Sequence, residues 1–376
     1  MLKGIQLTLL MGPVVPIPAP SVVIDALQSV QVTVSSGARS GFQLVFSLSK
    51  NSQLNNVLIP AGFFNPFIRV VLVVTMGGLP QVIMDGVITR QEVAPSNDPA
   101  QSTLTVTGED LTVLMDVVDL TGLIPYPSLP LNLIATAVIA KYAMFGIIPA
   151  AVPPIASFVS PITEKIDQHK GTDLAFLNLL AEKAGHVFYL IPGPAPGTSI
   201  AYWGPEVRAG IPQPALSINM DAASNVESLR FTYDGLARKQ VVAIVLDPIF
   251  HKVPIPIPIP NVSLLKPPLA AVPPVQLKVE ILKDVAKLNP VEALLFGLSK
   301  TSESADAITG AGSLDVLRYG TLLSARGLVG VRGAGLAYDG LYYVNSVTHN
   351  LKRGEYKQNF SLSRDGLMPL IPRVNV

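Results

Sequence analysis

The chain has 376 residues, enough for two or three domains, a net charge of +1 and no cysteine. Charged residues make up 14 % and hydrophobic residues 49 %, against roughly 25 % charged in an ordinary soluble domain. The missing cysteine excludes a disulfide framework, thiolate metal sites and thiol catalysis, and the near-neutral balance without a basic run lacks the footprint of a nucleic-acid binder. So little charge leaves apolar surface that faces another protein or a membrane rather than water.

In chain order, the opening MLKGIQLTLLMG reads as a first strand rather than a signal peptide, because Gln6 and Thr8 interrupt the apolar run. Val30, Val32 and Val34 alternate with Gln31, Thr33 and Ser35; SSGARSG turns the chain, and Phe42, Leu44, Phe46 and Leu48 follow on one face. A period of two around a Gly/Ser turn predicts a hairpin. IRVVLVV (68–74) predicts a strand buried on both faces, and QVIMDGVITRQEV (81–93) a strand with Gly86 at a bulge or close approach. STLTVTG (102–108) is a further strand, and Leu111, Leu114, Met115 and Val118 fit a short helix. Residues 1–118 thus predict an antiparallel β-domain closed by a helix.

Helical spacing runs over 131–145, ended by Pro149, Pro153 and Pro154. The stretch 129–148 contains Pro130, Asn132, Lys141 and Gly146, so it predicts a buried amphipathic helix rather than a membrane span. The apolar excess therefore points to subunit interfaces. KGTDLAFLNLLAEKAGH predicts a helix capped by Thr172 or Asp173 and ended by Gly185, with HVFYLI as the next strand. Strands return in ALSINM, VESLRFTYDG and RKQVVAIVL. The composition then shifts to the proline-rich 248–274, whose Ile-Pro run 254–260 predicts extended backbone lying against another surface. A short helix over 290–300, a polar stretch at 300–312 and glycine-rich strands lead to a terminal hairpin turning at Lys352, Arg353 and Gly354.

No catalytic, cofactor or metal constellation stands out. The four histidines, His169, His186, His251 and His349, form no ligand pair and read as structural. Glu109, Asp110 and Asp116 flank a helix start, where carboxylates favour the macrodipole; a paired-carboxylate hydrolase is the reading they leave open. Trp203 beside Tyr202 is either core or a stacking platform for sugar, the basis of an alternative reading as a carbohydrate-binding or adhesive β-rich surface protein.

Four stretches taken together, VTVSSGARSGFQLVFSL, DGVITRQEVAPSNDPAQSTLTVTGEDLTVLMD, KGTDLAFLNLLAEKAGHVFYL and YYVNSVTHNLKRGEYKQNFSLSRDGL, resemble the baseplate hub proteins of contractile tails: the phage late control D family and the hub part of VgrG-type proteins. The resemblance covers about 1–369. It implies a mainly β (α+β) chain of two tail-tube-like antiparallel β-barrel domains and a small α/β middle domain. The first barrel is 1–119 and the middle domain 120–205 with 248–309. The second, discontinuous barrel is 206–247 with 310–370, and 371–376 is a tail. It further implies a structural, non-enzymatic homotrimer without cofactor. That trimer adapts a trimeric spike to the hexameric inner tube or its initiator, contacts other baseplate components and forms part of a central channel. It neither binds a specific nucleic acid nor spans a membrane, and it is assembled in the cytoplasm as part of a phage tail-like particle. VgrG-type chains continue into a spike, so here the spike is expected as a separate protein. In the terminal hairpin, Tyr356, Phe360 and Leu362 are the expected second-barrel core. Lys357, Asn359, Ser361 and Ser363 face a channel, a neighbouring subunit or solvent.

Overall fold

The computed structural model describes residues 4–98, 101–126, 129–154, 167–246, 254–259, 266–282, 297 and 306–371. The N-terminal part holds β1 (Ile5–Gly12), β2 (Ile17–Pro18), the short helix α1 (Ser21–Ala26), β3 (Leu27–Ser35), β4 (Gly41–Ser47), β5 (Arg69–Met76), β6 (Leu79–Ala94) and β7 (Thr103–Asp110). Every residue from Arg69 to Val74 is buried, which is why β5 shows no alternation in sequence. Gly86 lies where β6 crosses β7: an added Cβ would sit 2.2 Å from the Glu109 carbonyl oxygen, so only glycine fits the approach. After β7 the chain makes a 3-10 helix, Leu111–Asp116, capped by the Asp110 carboxylate on the Thr112 N–H.

A middle segment follows: β8 (Pro125–Tyr126), α2 (Leu131–Ala140), β9 (Ile147–Ala151), β10 (Asp167–Gln168), α3 (Asp173–Ala184), β11 (Val187–Pro192) and β12 (Ser199–Gly204). α2 ends earlier than the prolines imply. Gly146, in the left-handed region at φ +73°, closes the following 3-10 turn, and Pro149 instead enters the edge strand β9, where a missing N–H is tolerated. α3 begins and ends as its sequence predicts, with Thr172 accepting from the Ala175 N–H and Gly185 at φ +68°.

The remainder comprises β13 (Gln213–Ser217), β14 (Val226–Tyr233), β15 (Lys239–Leu246), β16 (Pro254–Pro258), β17 (Ala270–Val272), β18 (Lys278–Leu282), β19 (Ile308–Asp315), β20 (Leu328–Arg332), β21 (Gly340–Lys352), β22 (Glu355–Arg364) and β23 (Leu367–Pro369). The expected helix over 290–300 falls outside the described residues apart from Gly297.

The chain is mainly β. One sheet organises it in the order β14-β19-β22-β21-β3-β4-β7-β6-β5-β1-β2, with β13 and β20 attached beside β21. The terminal hairpin joins the two ends of the chain, because β21 pairs with β3 along Ser346–Lys352. β14 and β19 pair directly although the insertion lies between them in sequence. Among the described residues no pairing closes either half into a barrel. β15, expected in the second barrel, pairs with β16 and β18 in a separate sheet. Its apolar run specifies a strand but not which sheet receives it. The Ile-Pro run is an edge strand of that sheet. Ile259 donates its N–H to Val241 O at 2.9 Å, so by the period of two the isoleucines carry the ladder and the prolines face out.

One apolar core lies under the main sheet and draws on both ends of the chain, including Val32, Leu44, Val106, Val347 and Phe360. A second packs α2, α3, β11 and β12 around Leu177, Leu180 and Trp203. Two charged clusters fasten the parts together. Arg69 grips Asp85 with Nε and Nη2 at 2.8 and 2.7 Å, both side chains buried, and reaches the Gly197 carbonyl of the middle segment. Arg208 joins Glu206 to Asp306 at the end of the insertion, and Lys266 within the insertion also binds Glu206.

Candidate assembly surface

The main sheet is two-faced. On β22, Tyr356, Phe360 and Leu362 are buried in the core, while Lys357, Asn359 and Ser361 lie on the other face. Ser363 departs from its expected place: it is buried and its hydroxyl donates to Asn345 Oδ1 at 3.1 Å. The cause is an irregularity in β21 between Val344 and Ser346, which puts Asn345 over this end of β22.

The polar row of β22 continues across neighbouring strands. In register, Ser313, Asn359, Thr348 and Thr33 form one line across β19, β22, β21 and β3. Thr33 and Thr348 share a hydrogen bond of 3.0 Å, Gln31 donates to Asn350 Oδ1 at 3.1 Å, Ser346 meets Ser361 at 2.6 Å and Ser228 meets Ser313 at 2.8 Å. Such cross-strand pairs fix register. Lys357 is held by Glu227 at 2.9 Å and Glu355 at 3.3 Å, and these hydrogen bonds raise its pKa. On β7 the same face shows Thr103, Thr105 and Thr107. These N-terminal members were not singled out from sequence, although the alternation of Gln31 and Thr33 with valines carried the same signal.

Eight strands, β14-β19-β22-β21-β3-β4-β7-β6, carry this face, and each pairs antiparallel with the next. Both ends are open edges. β14 pairs on one side only, and β5 pairs with β6 only as far as Val87, so the outer half of β6 is exposed from Thr89 to Arg90 and from Glu92 to Ala94. Asp234 donates its N–H to Ala307 O toward β19; stepping back by twos, the N–H groups of Leu229, Phe231 and Tyr233 point away from the sheet.

The remaining candidates have structural partners. His349 is buried; its Nδ1 accepts from Gln358 Nε2 and lies 2.7 Å from the Tyr356 hydroxyl, and burial pushes its pKa down to about 4. His186 packs edge-on against Trp203 and is likewise pushed to about 4 by burial. His169 lies against Phe176, with burial lowering its pKa. His251 lies outside the described residues. Asp110 caps the 3-10 helix, Asp116 binds Arg39 and Thr172, and Glu109 binds Arg39. Among the described residues no group of three acidic or histidine side chains could hold a metal. Trp203 is fully buried and donates Nε1–H to the Leu177 carbonyl at 3.2 Å, so the sugar-platform reading of Trp203 and Tyr202 is corrected: the indole belongs to the core. No helix among the described residues is long and apolar enough to cross a membrane.

Neither a protein-family model nor a curated protein sequence matches this chain. Solved structures do. A tail protein from Neisseria meningitidis MC58 is similar with a TM-score of 0.64 at 15 % identity, over 97 % of this chain and 98 % of that one. The fold is that of phage tail proteins. The 43 kDa tail protein of prophage MuSo2 from Shewanella oneidensis agrees at a TM-score of 0.63 and 14 % identity, over 96 % of this chain and all of that one. A chain of the Francisella PdpA-VgrG complex is similar at 0.59 and 9 % identity, over all of this chain and 55 % of that one. The tail-protein fold thus extends along the whole chain, with a chain of a VgrG complex among its structural neighbours.

Proposed function

We propose that this chain is the structural hub of a contractile injection system or phage-tail baseplate, a homotrimer that adapts a trimeric spike to a hexameric inner tube. The observation that carries the reading is the alternating eight-stranded sheet with an open edge at each end. Because the strand number is even, β14 and β6 run in opposite directions. Copies related by rotation therefore meet β6 to β14 as antiparallel neighbours, and a ring closes without an unpaired edge. The four strands β14, β19, β22 and β21 come from the C-terminal half and the four strands β3, β4, β7 and β6 from the N-terminal half. Three copies then present six four-stranded units, the number a hexameric tube requires.

In this arrangement the row containing Lys357, Asn359 and Ser361 lines the central channel. Spike, tube or tube-initiator and baseplate proteins are the partners, without specific nucleic-acid binding, membrane span or catalysis. Assembly takes place in the cytoplasm. Native mass spectrometry and particle imaging test this: the expected species is a threefold ring, and a stable monomer at tens of micromolar would sink it. Tyr233→Pro removes one outward N–H at the end of β14 without touching the β19 ladder. The expected result is an unchanged monomer fold with trimer affinity weakened about tenfold or more.

A further inference from the structure

The two open edges of the main sheet carry a pattern that ring closure alone does not require. On β6, past an irregularity after Ile88, Arg90 to Ala94 pair regularly with β7 from Thr107 to Thr103. Arg90, Glu92 and Ala94 lie opposite threonines of the polar face, whereas Gln91 and Val93 lie opposite the core residues Val106 and Leu104. On β14, past an irregularity after Val226, Ser228 to Tyr233 pair regularly with β19. Ser228 meets Ser313 on the polar face, which Arg230 and Thr232 share by the period of two, while Leu229 and Phe231 pack against the core. Ile88 also faces the core, and it turns its N–H and C=O away from β7, to Ile68 O and the Phe67 N–H, both at 2.9 Å. Side-chain face and hydrogen-bond direction alternate together along a strand, so the core-facing Gln91 and Val93 point their backbone groups outward too. Leu229 and Phe231 do the same on β14. The two edges therefore meet face on face only in registers that differ by steps of two residues.

Length and charge choose among these registers. With Glu92 opposite Arg230, every residue from Arg90 to Ala94 finds a partner between Thr232 and Ser228. Val93, which is 43 % exposed, then covers Leu229, and Gln91 meets Phe231. Glu92 has the exposed Arg90 beside it at 2.9 Å, a contact worth little in water. Arg230 is exposed and has no ion-pair partner among the described residues, since the nearby Glu227 is held by Lys357. Sliding β14 by two residues in one direction sets Arg230 opposite Arg90, a destabilising like-charge pair. Sliding it the other way shortens the ladder, leaves Glu92 opposite the neutral Thr232 and sets Arg90 opposite Asp234, whose carboxylate already accepts the Leu236 N–H at 2.8 Å.

We propose, on the ring reading above, that β6 of one copy and β14 of the next pair in this single register, with Glu92 and Arg230 of the next copy as the ion pair that locks the seam. The two are then a non-hydrogen-bonded pair with Cα atoms about 4.5 Å apart, within reach of a disulfide, whereas positions displaced by two lie about 7–8 Å away and out of reach. The chain has no cysteine, so the register is read by combining Glu92→Cys in turn with Arg230→Cys, Ser228→Cys and Thr232→Cys and oxidising each at a concentration where the native chain is assembled. Covalent dimers and trimers are expected with Arg230→Cys and only monomers with the other two. Cross-linking through Ser228→Cys or Thr232→Cys instead, or a threefold assembly that none of the three pairs links, overturns the register and leaves the ring standing. A native chain that never assembles removes both. A charge test covers the lock itself. Arg230→Glu should raise the concentration of half-assembly about tenfold, and Arg90→Glu/Glu92→Arg/Arg230→Glu, which inverts all the charges at the seam, should restore it. Arg230→Glu assembling as the native chain does, or a triple variant no better than the single one, overturns the role of the pair.

Discussion

β14 and β16 are both edge strands, yet they leave different chemistry at their outer side. β16 places a proline at each outward position, so its sheet, β16-β15-β18, is sealed along that edge. β14 runs for eight residues without a proline and exposes its outward N–H groups. A chain that can blunt an edge and leaves another open marks the open one as a place for pairing. The two sheets also differ in depth. The main sheet lays one face on a core shared by both ends of the chain, whereas β18 is exposed from Lys278 to Ile281.

The sharpest way to break this contrast is to truncate one side chain in each sheet. Phe360→Ala removes a ring that is 4 % exposed under β22 and should cost about 3–5 kcal/mol. Val279→Ala on β18, 68 % exposed, should change stability by less than about 0.5 kcal/mol. Chemical denaturation of the two variants checks the pair, and equal costs would contradict the assignment of stability to the main sheet.

Acid should act on the main-sheet core next. The buried His349 has a folded pKa of about 4, below the ordinary value near 6.5, so between these pH values the unfolded chain binds more protons. Stability is therefore fully present above about pH 6.5 and is lost as pH falls toward 4, by up to about 3 kcal/mol. His186, also about 4, adds loss of the same sign. Comparing the pH dependence of unfolding in the native chain and in His349→Leu isolates the residue: the variant should be less stable at pH 7 but show a shallower acid slope. An unchanged slope would remove His349 as its source.

A smaller effect probes how the insertion is fastened. Burial works to lower the pKa of Arg208, but the hydrogen bonds and charges of Asp306 and Glu206 outweigh it and raise the pKa. Asp306→Asn removes one of its two anions at a site whose side chains are 12–19 % exposed. The expected loss is about 1–2 kcal/mol, below that of a fully buried pair because Glu206 remains. Urea unfolding at low and high salt checks it, with the gap between variant and native chain narrowing as salt screens the cluster.

How much of this was legible in the sequence depends on the range of the signal. The β3–β4 hairpin, the capped helix α3 and the β21–β22 turn could be read because each is set by residues within fewer than about twenty positions: Val30 to Leu48, Thr172 with Gly185, Gly354. The close approach at Gly86 was legible for the same reason. The joining of β21 to β3 was not, since Val347 and Val34 are neighbours only in space. The placement of β15 outside the main sheet was equally hidden, because Val241–Leu246 looks the same in either sheet. Of the surface, the alternation on β22 showed the polar row. Its extent and its two open edges arise from register that no local pattern encodes.

The smallest effect concerns the sealed edge itself. Pro256→Thr restores one outward N–H on β16 without disturbing the ladder, because Ile257 and Ile259 carry the bonds to β15. Thermal stability should stay within about 0.5 kcal/mol of the native chain, since loss of the ring's rigidity in the unfolded state is offset by threonine's preference for strands. What should change is association. With β16 opened, the variant gains an open edge on this sheet, and sedimentation at rising concentration should show larger species than the native chain forms under the same conditions. Doubling the substitution with Pro258→Thr should strengthen that tendency. If neither variant associates further, the prolines are not what keeps this edge unpaired, and the contrast with β14 would rest on exposure alone.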